Sequence, residues 1–411
     1  MRLLYFLSIL IYPVFILLAP PFNKKAKQWI TGRRNWRKNL REKLNHDDKH
    51  IWVHCASLGE FEQGRPLMER IKETAPEYKI VLTFFSPSGY ELRKDWPVAD
   101  YIFYLPADTA SNASYFVDIL RPAMVLFVKY EFWNNYISEI KRRNIPLYLI
   151  SGIFRPDQHF FKWYGRFFRN MLKNFTHIFV QDDRSAELLG SIDIENVSIS
   201  GDTRFDRVHQ ISHEALDLPL IDRFRAGEKL FLAGSSWKED EEIISAYVNS
   251  DPAKMKWVFA PHEVEKSGID RLEKLFKTSV VRYSRYTEDS DSARVLIIAN
   301  VGILASAYRY AYIAAVGGGF GKGIHNILEA ACWGVPVLFG PDYKDYKEAV
   351  DLIELGGVYC YKNLAEFSAI MNNWLNNNNV YESSSKIVSE YIQKNLGASE
   401  KILSTVMEKR Y

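Results

Sequence analysis

The chain has 411 residues, of which 47% are hydrophobic and 14% aromatic, and its formal net charge is only +3. This length favours two domains with sizeable cores, and the small net charge excludes bulk electrostatic attraction to nucleic acid. The cysteines, Cys55, Cys332 and Cys360, lie far apart, which excludes a zinc-finger spacing and a disulfide scaffold and indicates a reducing compartment.

The N-terminal segment is apolar, and residues 3–22 carry no charge. About 20 apolar residues suffice to cross a hydrocarbon core of roughly 30 Å, so we predict a membrane anchor over residues 1–22. A cleaved signal peptide is one alternative. Pro13 also leaves room for a helix that dips into one leaflet instead of spanning the bilayer.

A basic, membrane-proximal segment over residues 23–47 follows, in which Trp29 and Trp36 stand among lysines and arginines. Basic flanks stay on the cytoplasmic side of a membrane, so the rest of the chain is expected in the cytoplasm. Cationic and aromatic side chains together favour a surface that contacts anionic headgroups. The alternative is a solvated amphipathic helix.

Residues 48–207 alternate short apolar runs with stretches of helical periodicity. This alternation predicts an α/β domain whose sheet is mostly parallel and covered on both faces. Ligands of such sheets bind beyond the carboxyl ends of the strands. The expected strands are 51–56, 80–85, 101–105, 124–128, 146–150, 177–180 and 197–200.

Glu60 follows the first of these strands, in the sequence Ser57-Leu58-Gly59-Glu60. A carboxylate on a strand-to-helix loop is a candidate general base, especially if partial burial moves its pKa towards neutrality. The alternative is a glutamate in the first turn of a helix, where it complements the helix dipole.

Two further strand ends carry charged residues. Lys129 and Glu131 follow the strand at 124–128, where the pair would either orient a substrate or form a surface ion pair. Arg204 lies near the end of the domain and is a candidate phosphate ligand with forked geometry. Its alternative is a salt bridge to Asp202 or Asp206.

Residues 208–224 lose strand character and are interpreted as a linker. Residues 225–411 then repeat the alternation of strands and helices, which predicts a second α/β domain. The expected strands are 230–233, 256–260, 280–281, 295–298, 311–316, 335–340 and 358–361.

The second domain contains a glycine-rich stretch, VGGGFGKGIHNILEAACWGVPVLFGP, at residues 316–341. Glycines allow the backbone amides near Gly318 and Gly319 to approach an anion, and the helix predicted at His325–Asn326 adds a favourable dipole. Glu329 suits a pair of ribose hydroxyls. No G-x-G-x-x-G pattern is present, so NAD is not expected. The alternative is a tight strand–helix turn without a ligand.

Other strand ends in this domain are Pro261-His262 and Val301-Gly302-Ile303. His262 is either a residue that stacks on or hydrogen-bonds a nucleobase, or a structural histidine. The D-x-D sequence at 289–291 lies in a polar loop, and no metal or other cofactor is predicted.

The segments IWVHCASLGE, GDTRFD, SSWKEDEE, FAPHEVE and the glycine-rich stretch resemble, in order and spacing, successive motifs of the Kdo transferases. These enzymes move Kdo, an eight-carbon acidic sugar, from CMP-Kdo to a lipid A precursor at the cytoplasmic face of the inner membrane of Gram-negative bacteria. The resemblance implies a GT-B fold, in which two Rossmann-like domains face each other across a cleft. The N-terminal domain would hold the acceptor and the C-terminal domain the nucleotide sugar.

The resemblance also implies roles for single residues. Glu60 matches the catalytic base, and Arg204 falls where the family usually has a lysine that stabilises the transition state. Lys129 replaces a glutamate with a similar role, so Glu131 is the surviving carboxylate. The positions that match the nucleotide-sugar site are Pro261, His262, Val301, Gly302, Ile303, Gly318, Gly319, Asn326, Ile327, Leu328 and Glu329.

The reaction expected is an inverting, metal-independent transfer of Kdo to lipid IVA, in lipopolysaccharide core biosynthesis. Two alternatives remain at this stage. One is another nucleotide-sugar transferase or an epimerase of the same fold. The other is a catalytically inactive, membrane-tethered binding protein. It is favoured by the departures from the family at Lys129, at His262, where the family has an arginine, and at Ile303, where it has a glutamate.

Overall fold

The computed structural model describes residues 2–18, 23–250, 255–299 and 302–408. Within these residues the chain divides into two α/β units, each built on a parallel sheet of seven strands. The predicted fold class, α/β with two Rossmann-like domains, is confirmed at this level. Each unit is described separately below.

The sheet of the first unit has the strand order β3-β2-β1-β4-β5-β6-β7. Its strands are apolar on both faces because helices cover both sides. Along β1, Ile51, Val53 and Cys55 enter the core on one face and Trp52 enters the core on the other. The strands are β1 Lys49–Cys55, β2 Tyr78–Phe84, β3 Tyr101–Tyr104, β4 Met124–Val128, β5 Leu147–Gly152, β6 His177–Val180 and β7 Val197–Ile199.

Helices precede the first of these strands, connect the strands and follow the last of them. Between β5 and β6 the chain forms a short 3-10 turn, His159–Phe161, followed by a separate helix. The helices are α1 Arg2–Leu18, α2 Lys24–Gly32, α3 Trp36–Lys43, α4 Leu58–Thr74, α5 Pro87–Arg93, α6 Ala110–Leu120, α7 Asn134–Arg142, α8 Arg166–Leu172, α9 Asp183–Gly190 and α10 Thr203–His213.

The first helix, α1, is 17 residues long, and none of the helices in the described residues is long and apolar enough to cross a membrane. The predicted spanning anchor over residues 1–22 is therefore not supported, and residues 19–22 lie outside the described residues. Instead, Tyr5 ties α1 to the first unit. The hydroxyl of Tyr5 donates to Asp108 Oδ2 at 2.5 Å and accepts from the amide of Asn134 at 2.9 Å.

The sheet of the second unit has the order β10-β11-β9-β8-β12-β13-β14. It too is covered on both faces, and Trp257, Tyr361 and Trp374 are among its fully buried side chains. The strands are β8 Leu230–Ser236, β9 Lys256–Pro261, β10 Val280–Arg282, β11 Val295–Ile297, β12 Ile313–Val316, β13 Val337–Phe339 and β14 Tyr359–Cys360.

The helices of the second unit include one that is much shorter than expected. The helix within the glycine-rich stretch, predicted to start at His325–Asn326, begins only at Leu328 and has four residues. The helices are α11 Pro219–Arg225, α12 Lys238–Ser250, α13 Lys266–Glu273, α14 Leu304–Ala307, α15 Leu328–Ala331, α16 Lys347–Leu355, α17 Leu364–Asn376 and α18 Asn378–Lys394.

The unit boundaries differ from the predicted domains in two ways. The predicted linker, 208–224, lies in the second unit, where it forms the end of α10 and most of α11. The last helix, α19 (Ala398–Glu408), belongs to the first unit and not to the second, as predicted for 225–411. The reason is an apolar stripe, Ile402, Leu403 and Val406, that completes the core around α4.

Candidate functional site

Glu60 lies at the carboxyl end of β1, in the first turn of α4. Its Oε2 atom accepts a hydrogen bond from the amide of Ser57 at 3.0 Å and another from the Ser57 hydroxyl. The Ser57 side chain in turn accepts from the amide of Gly59, so the two residues form a capping box. The carboxylate is thereby fixed at the edge of the sheet where a base would be needed.

Glu131 lies beyond the end of β4, which is the neighbour of β1 in the sheet. It is only 8% exposed, and its Oε2 atom accepts from the indole of Trp133 at 2.5 Å. The same oxygen lies 3.0 Å from Nε2 of His54, whose Nδ1 lies 2.9 Å from the hydroxyl of Thr83. Glu131 is therefore a buried, ring-anchored carboxylate and not part of a surface ion pair.

The connection between β4 and Glu131 is strained. Lys129 has a φ of +61°, a left-handed conformation that a residue with a Cβ adopts at a cost of order 1 kcal/mol or more. The following Tyr130 is 40% exposed. Partial burial of Tyr130 raises the pKa of its hydroxyl. Among the nearby charges, Glu60 raises this pKa and Arg204 lowers it. Tyr130, which the sequence motifs did not single out, thus lies within the electric field of Glu60 and Arg204, two of the predicted catalytic residues.

Arg204 is the second residue of α10, and its guanidinium is ion-paired with Asp202. Nε and Nη2 of Arg204 lie 2.8 Å and 2.7 Å from Oδ2 of Asp202. One of the two predicted alternatives is thus observed, whereas Asp206 instead accepts from the amides of Gly397 and Ser399 before α19. Asp202 orients the guanidinium, which would have to share its donors in order to bind a phosphate.

In the second unit, the glycines after β12 are required by close backbone approaches. A Cβ on Gly317 would lie 2.3 Å from the carbonyl oxygen of Ser235, and one on Gly319 would lie 2.7 Å from the backbone of Gly340. Gly318 has a φ of +97°. The glycine-rich stretch therefore folds back against the ends of β8 and β13.

Asp240 on α12 holds this stretch in place. It is 1% exposed, and its carboxylate accepts from the amides of Trp237 at 3.0 Å and Gly318 at 3.1 Å and from the hydroxyl of Tyr361 at 3.0 Å. Burial raises the pKa of Asp240. Because this carboxylate occupies the amide of Gly318, that amide is not available to an anion, contrary to the role expected for it.

Asp240 and its neighbour on α12 were not singled out from the sequence. Glu241 is also buried, and it accepts from the hydroxyl of Ser236 at 3.0 Å and pairs with Arg271. The signal that was available is the position of Asp240, three residues after Trp237 at the end of a strand. This is the spacing at which an acidic side chain caps the start of a helix.

Asn326 and Glu329 are brought together at the start of α15. The side-chain amide of Asn326 donates to Glu329 Oε1 at 3.2 Å, and its oxygen accepts from the amide of Leu328 at 3.2 Å. Ile327 and Leu328 are fully buried. Both side chains contribute to the core, and their place in the nucleotide-sugar site stays a prediction.

One comparison with known proteins matches most of the first unit to a family model. Residues 32–207 match the family model described as 3-deoxy-D-manno-octulosonic-acid transferase, or Kdo transferase. The 3-deoxy-D-manno-octulosonic acid transferase of Aquifex aeolicus is 27% identical over 323 residues, which cover 77% of this chain and 83% of the relative. That of Rickettsia bellii is 25% identical over 421 residues, which cover 96% and 98%. Over most of its length the chain is therefore similar to Kdo transferases, which are glycosyltransferases.

Solved structures show the fold alone. A UDP-GlcNAc 2-epimerase from Neisseria meningitidis, bound to UDP-GlcNAc, matches with a TM-score of 0.64 and 18% identity over 88% of this chain and all of that one. A putative UDP-N-acetylglucosamine 2-epimerase from Listeria monocytogenes matches with a TM-score of 0.63 and 13% identity, covering 89% and 98%. Both likenesses are consistent with the pair of Rossmann-like units in this chain.

One departure from the Kdo transferase pattern lies in a cluster of three rings. His262, where the resemblance implies an arginine, follows Pro261 at the end of β9, and its ring stacks on Trp237 with centroids 4.6 Å apart. The His262 ring also stacks on His325, again at 4.6 Å. We call Trp237, His262 and His325 the ring cluster. A stacked imidazole thus lies where the resemblance implies a charged guanidinium.

The remaining predicted positions have simpler surroundings. Gly302 has a φ of +97° in the turn before α14, and Ile303 is partly buried at the start of that helix. Val301 lies outside the described residues. In the D-x-D sequence, Asp291 pairs with Arg223 at 2.9 Å and accepts from Tyr286, so its carboxylate is engaged in the surface of the second unit.

Proposed function

We propose that this chain is an inverting, metal-independent glycosyltransferase that moves Kdo from CMP-Kdo to lipid IVA, a lipid A precursor, in lipopolysaccharide core biosynthesis. The observation that carries the proposal is the position of Glu60. It lies within the segment that matches the Kdo transferase family, and a capping box fixes its carboxylate at the carboxyl end of a central strand.

Glu60 acts as the general base. It accepts the proton of an acceptor hydroxyl while that oxygen forms a bond to the anomeric carbon of Kdo. The bond from the anomeric carbon to the phosphate of CMP breaks on the opposite face, so the configuration is inverted. The transition state has oxocarbenium character, as in other glycosyl transfers.

Arg204 and Glu131 support this step from the same sheet edge. The guanidinium of Arg204, oriented by Asp202, provides a fixed positive charge for the negative charge that develops on the departing phosphate. Glu131, held by His54 and Trp133, provides a buried carboxylate beside the end of β1. Its rigid setting suits a group that stabilises positive charge on the sugar without moving.

The second unit binds the donor. Glu329, oriented by Asn326, accepts from the ribose hydroxyls, and the ring cluster provides a stacking surface for the base. Pro261, Gly302, Ile303 and Gly319 line the same carboxyl edge of the sheet. No cofactor takes part in the reaction.

The N-terminal helices bind the cytoplasmic face of the inner membrane, which holds the acceptor. Apolar side chains of α1 are exposed, among them Leu4 at 58%. Because Tyr5 ties this helix to Asp108, α1 lies in the plane of the interface with its apolar side chains among the lipids. The lysines and arginines of α2 and α3 contact anionic headgroups.

Turnover by the purified protein tests this function. The protein is incubated with CMP-Kdo and lipid IVA in detergent, and the lipid product is examined by mass spectrometry. We expect a product heavier than lipid IVA by Kdo and a thermal shift with CMP that exceeds the shifts with UDP or GDP. A preference for UDP would favour another nucleotide-sugar enzyme, and binding of CMP without turnover would favour an inactive binding protein.

A further inference from the structure

The ring cluster consists of two layers. Trp237 and His325 lie side by side in one layer, with their ring planes 7° apart, and the indole nitrogen of Trp237 is 3.0 Å from Nε2 of His325. His262 forms the other layer and stacks on both rings at 4.6 Å, with interplanar angles of 20° and 26°. The indole–imidazole pair is therefore a planar, hydrogen-bonded unit with one face covered by His262.

The hydrogen bond in this pair determines where His325 carries its proton. An indole nitrogen can only donate, so Nε2 of His325 must accept and carries no hydrogen. In the neutral ring the proton is then on Nδ1. Protonation of Nε2 would place two N–H groups against each other, so the contact with Trp237 also favours the neutral form of His325.

The geometry of the glycine-rich stretch indicates where Nδ1 lies. A Cβ on Gly318 would approach Cδ2 of His325 at 3.1 Å, so the Cδ2 and Nε2 edge of the ring faces Gly318 and Trp237. Nδ1 is on the opposite edge. The backbone amides of Gly317, Gly318 and His325 all donate to acceptors within this unit. A hydrogen bond to an anion at this place must therefore come from another donor.

We propose that Trp237 is a positioning residue that holds His325 as the neutral Nδ1–H tautomer, and that His325 in this form donates a hydrogen bond to an anionic group of the nucleotide-sugar donor. This inference rests on the proposed function, because it takes the second unit to be the donor-binding unit. It assigns to the donor site a neutral, directional hydrogen-bond donor.

The charges around His325 are consistent with a neutral ring. Burial lowers the pKa of His325, and the neighbouring His262 lowers it further. The ammonium of Lys322 lies 5.6 Å from the centre of the Trp237 ring, and the carboxylate of Asp240 bonds to the amides of Trp237 and Gly318. Below a pH of about 6.5, the ordinary pKa of histidine, His325 is therefore protonated less readily in the folded protein than in the unfolded chain.

Nitrogen-15 NMR of the histidine side chains in the full-length protein tests the tautomer. We expect His325 of the wild type to show a protonated Nδ1 and an unprotonated Nε2 at pH 7.5. Trp237→Phe should shift it towards a mixture dominated by the Nε2–H form and raise its pKa. Trp333→Phe is the matched control, because it removes another half-buried indole of this unit, one that donates to the carbonyl of Ala305 at 3.0 Å. The same tautomer in wild type and Trp237→Phe would overturn the proposal.

Binding of CMP between pH 8 and pH 6 tests the consequence. At pH 8 we expect Trp237→Phe to bind CMP about fivefold more weakly than Trp333→Phe, the scale of one hydrogen bond. The difference should narrow towards pH 6, because a protonated His325 again carries a hydrogen on Nδ1. A merely structural role of Trp237 would give a difference that does not change with pH.

A second variant keeps the test independent of the folding of Trp237→Phe. In His325→Gln, the amide oxygen can accept from Trp237 and the NH2 group can donate to the ligand, so CMP binding should be retained with a weaker dependence on pH than in the wild type. A loss of binding in folded His325→Gln as large as in His325→Ala would contradict the inference. If the wild type itself binds no CMP, the proposed function fails, whereas CMP binding by the wild type with equal behaviour of Trp237→Phe and Trp333→Phe overturns this inference alone.

Discussion

The carboxylate of Asp240 accepts a hydrogen bond from the amide of Gly318 at 3.1 Å, across 78 positions of the chain. This contact, with those to Trp237 and Tyr361, joins the start of α12 to the glycine-rich stretch. A single buried acid thus fixes the shape of the loop that the sequence predicts to bind an anion.

We expect Asp240→Ala to unfold the second unit more easily, by about 1–3 kcal/mol, because buried donors lose their acceptor. The free energy of unfolding from urea denaturation measures the loss, and the affinity for CMP should fall with it. Glu239→Gln is the control, since Glu239 is an exposed residue of the same helix. Equal stability of the two variants would show that Asp240 does not hold the loop.

Glu60→Gln should abolish transfer without unfolding the protein. Glutamine can still cap the helix at this position, but it cannot accept a proton, and a positioned base contributes about 10²-fold or more. The rate of Kdo transfer and the melting temperature are measured together. Glu62→Gln on the same helix, where Glu62 bonds to Arg93 and Arg207, should retain the wild-type rate. Transfer at that rate by Glu60→Gln would remove Glu60 from the mechanism.

Unlike Glu60→Gln, Glu131→Ala should lose stability as well as activity. The truncation leaves His54 and Trp133 without their shared acceptor, at a cost of about 1–3 kcal/mol. Glu131→Gln keeps an acceptor oxygen and should recover most of the stability. Urea denaturation of both variants measures this, and a wild-type free energy of unfolding for Glu131→Ala would contradict the anchoring described for the buried carboxylate.

Acid should weaken the first unit through Glu139. Hydrogen bonds from Arg142, and after them the effects of Arg143, lower the pKa of Glu139 to about 2. A carboxyl group with a depressed pKa stabilises the fold above its ordinary pKa, near 4.5, and this contribution is lost as the pH falls towards 2. Glu139→Gln should be less stable at pH 7 and depend less on pH over that window. Glu42→Gln, which breaks an exposed pair with Lys38, should leave the pH dependence as it is in the wild type.

Binding to anionic vesicles should depend on the exposed side chains of α1. The double variant Leu4→Ser, Leu7→Ser removes apolar surface worth on the order of 1 kcal/mol or more per side chain when buried in lipid, so co-sedimentation with vesicles should fall at least tenfold. Leu355→Ser is the control, because Leu355 is 55% exposed, close to the 58% of Leu4, but lies in the second unit. Equal losses in both variants would count against a specific role of α1.

The sheets could be predicted because they depend on short-range patterns. Each of the fourteen expected strands corresponds to a strand of the structure, since apolar runs between turns are local signals. Features that depend on contacts between residues far apart in the sequence were not predicted. The burial of Asp240 depends on its hydrogen bonds with Gly318 and Tyr361. The packing of α19 in the first unit depends on a groove beside α4.

The candidate site divides in the same way. Glu60, Glu131 and Asn326 lie at strand ends or a helix start, as predicted from the order of motifs. The periodicity of the sequence did not reveal that Ile327 and Leu328 enter the core, or that the helix there would have four residues. A motif match gives the position of a residue along the chain, whereas the neighbours of its side chain come from the tertiary fold.

The placement of α19 has a consequence for biosynthesis on the ribosome. The first unit needs Ile402, Leu403 and Val406 to close its core, so it cannot finish folding when residue 207 leaves the exit tunnel. The first unit therefore exposes an apolar groove until the entire second unit has been translated. A gene fragment that stops at Arg207 is therefore expected to yield aggregation-prone protein, and co-expression of residues 397–411 as a separate peptide should rescue its solubility.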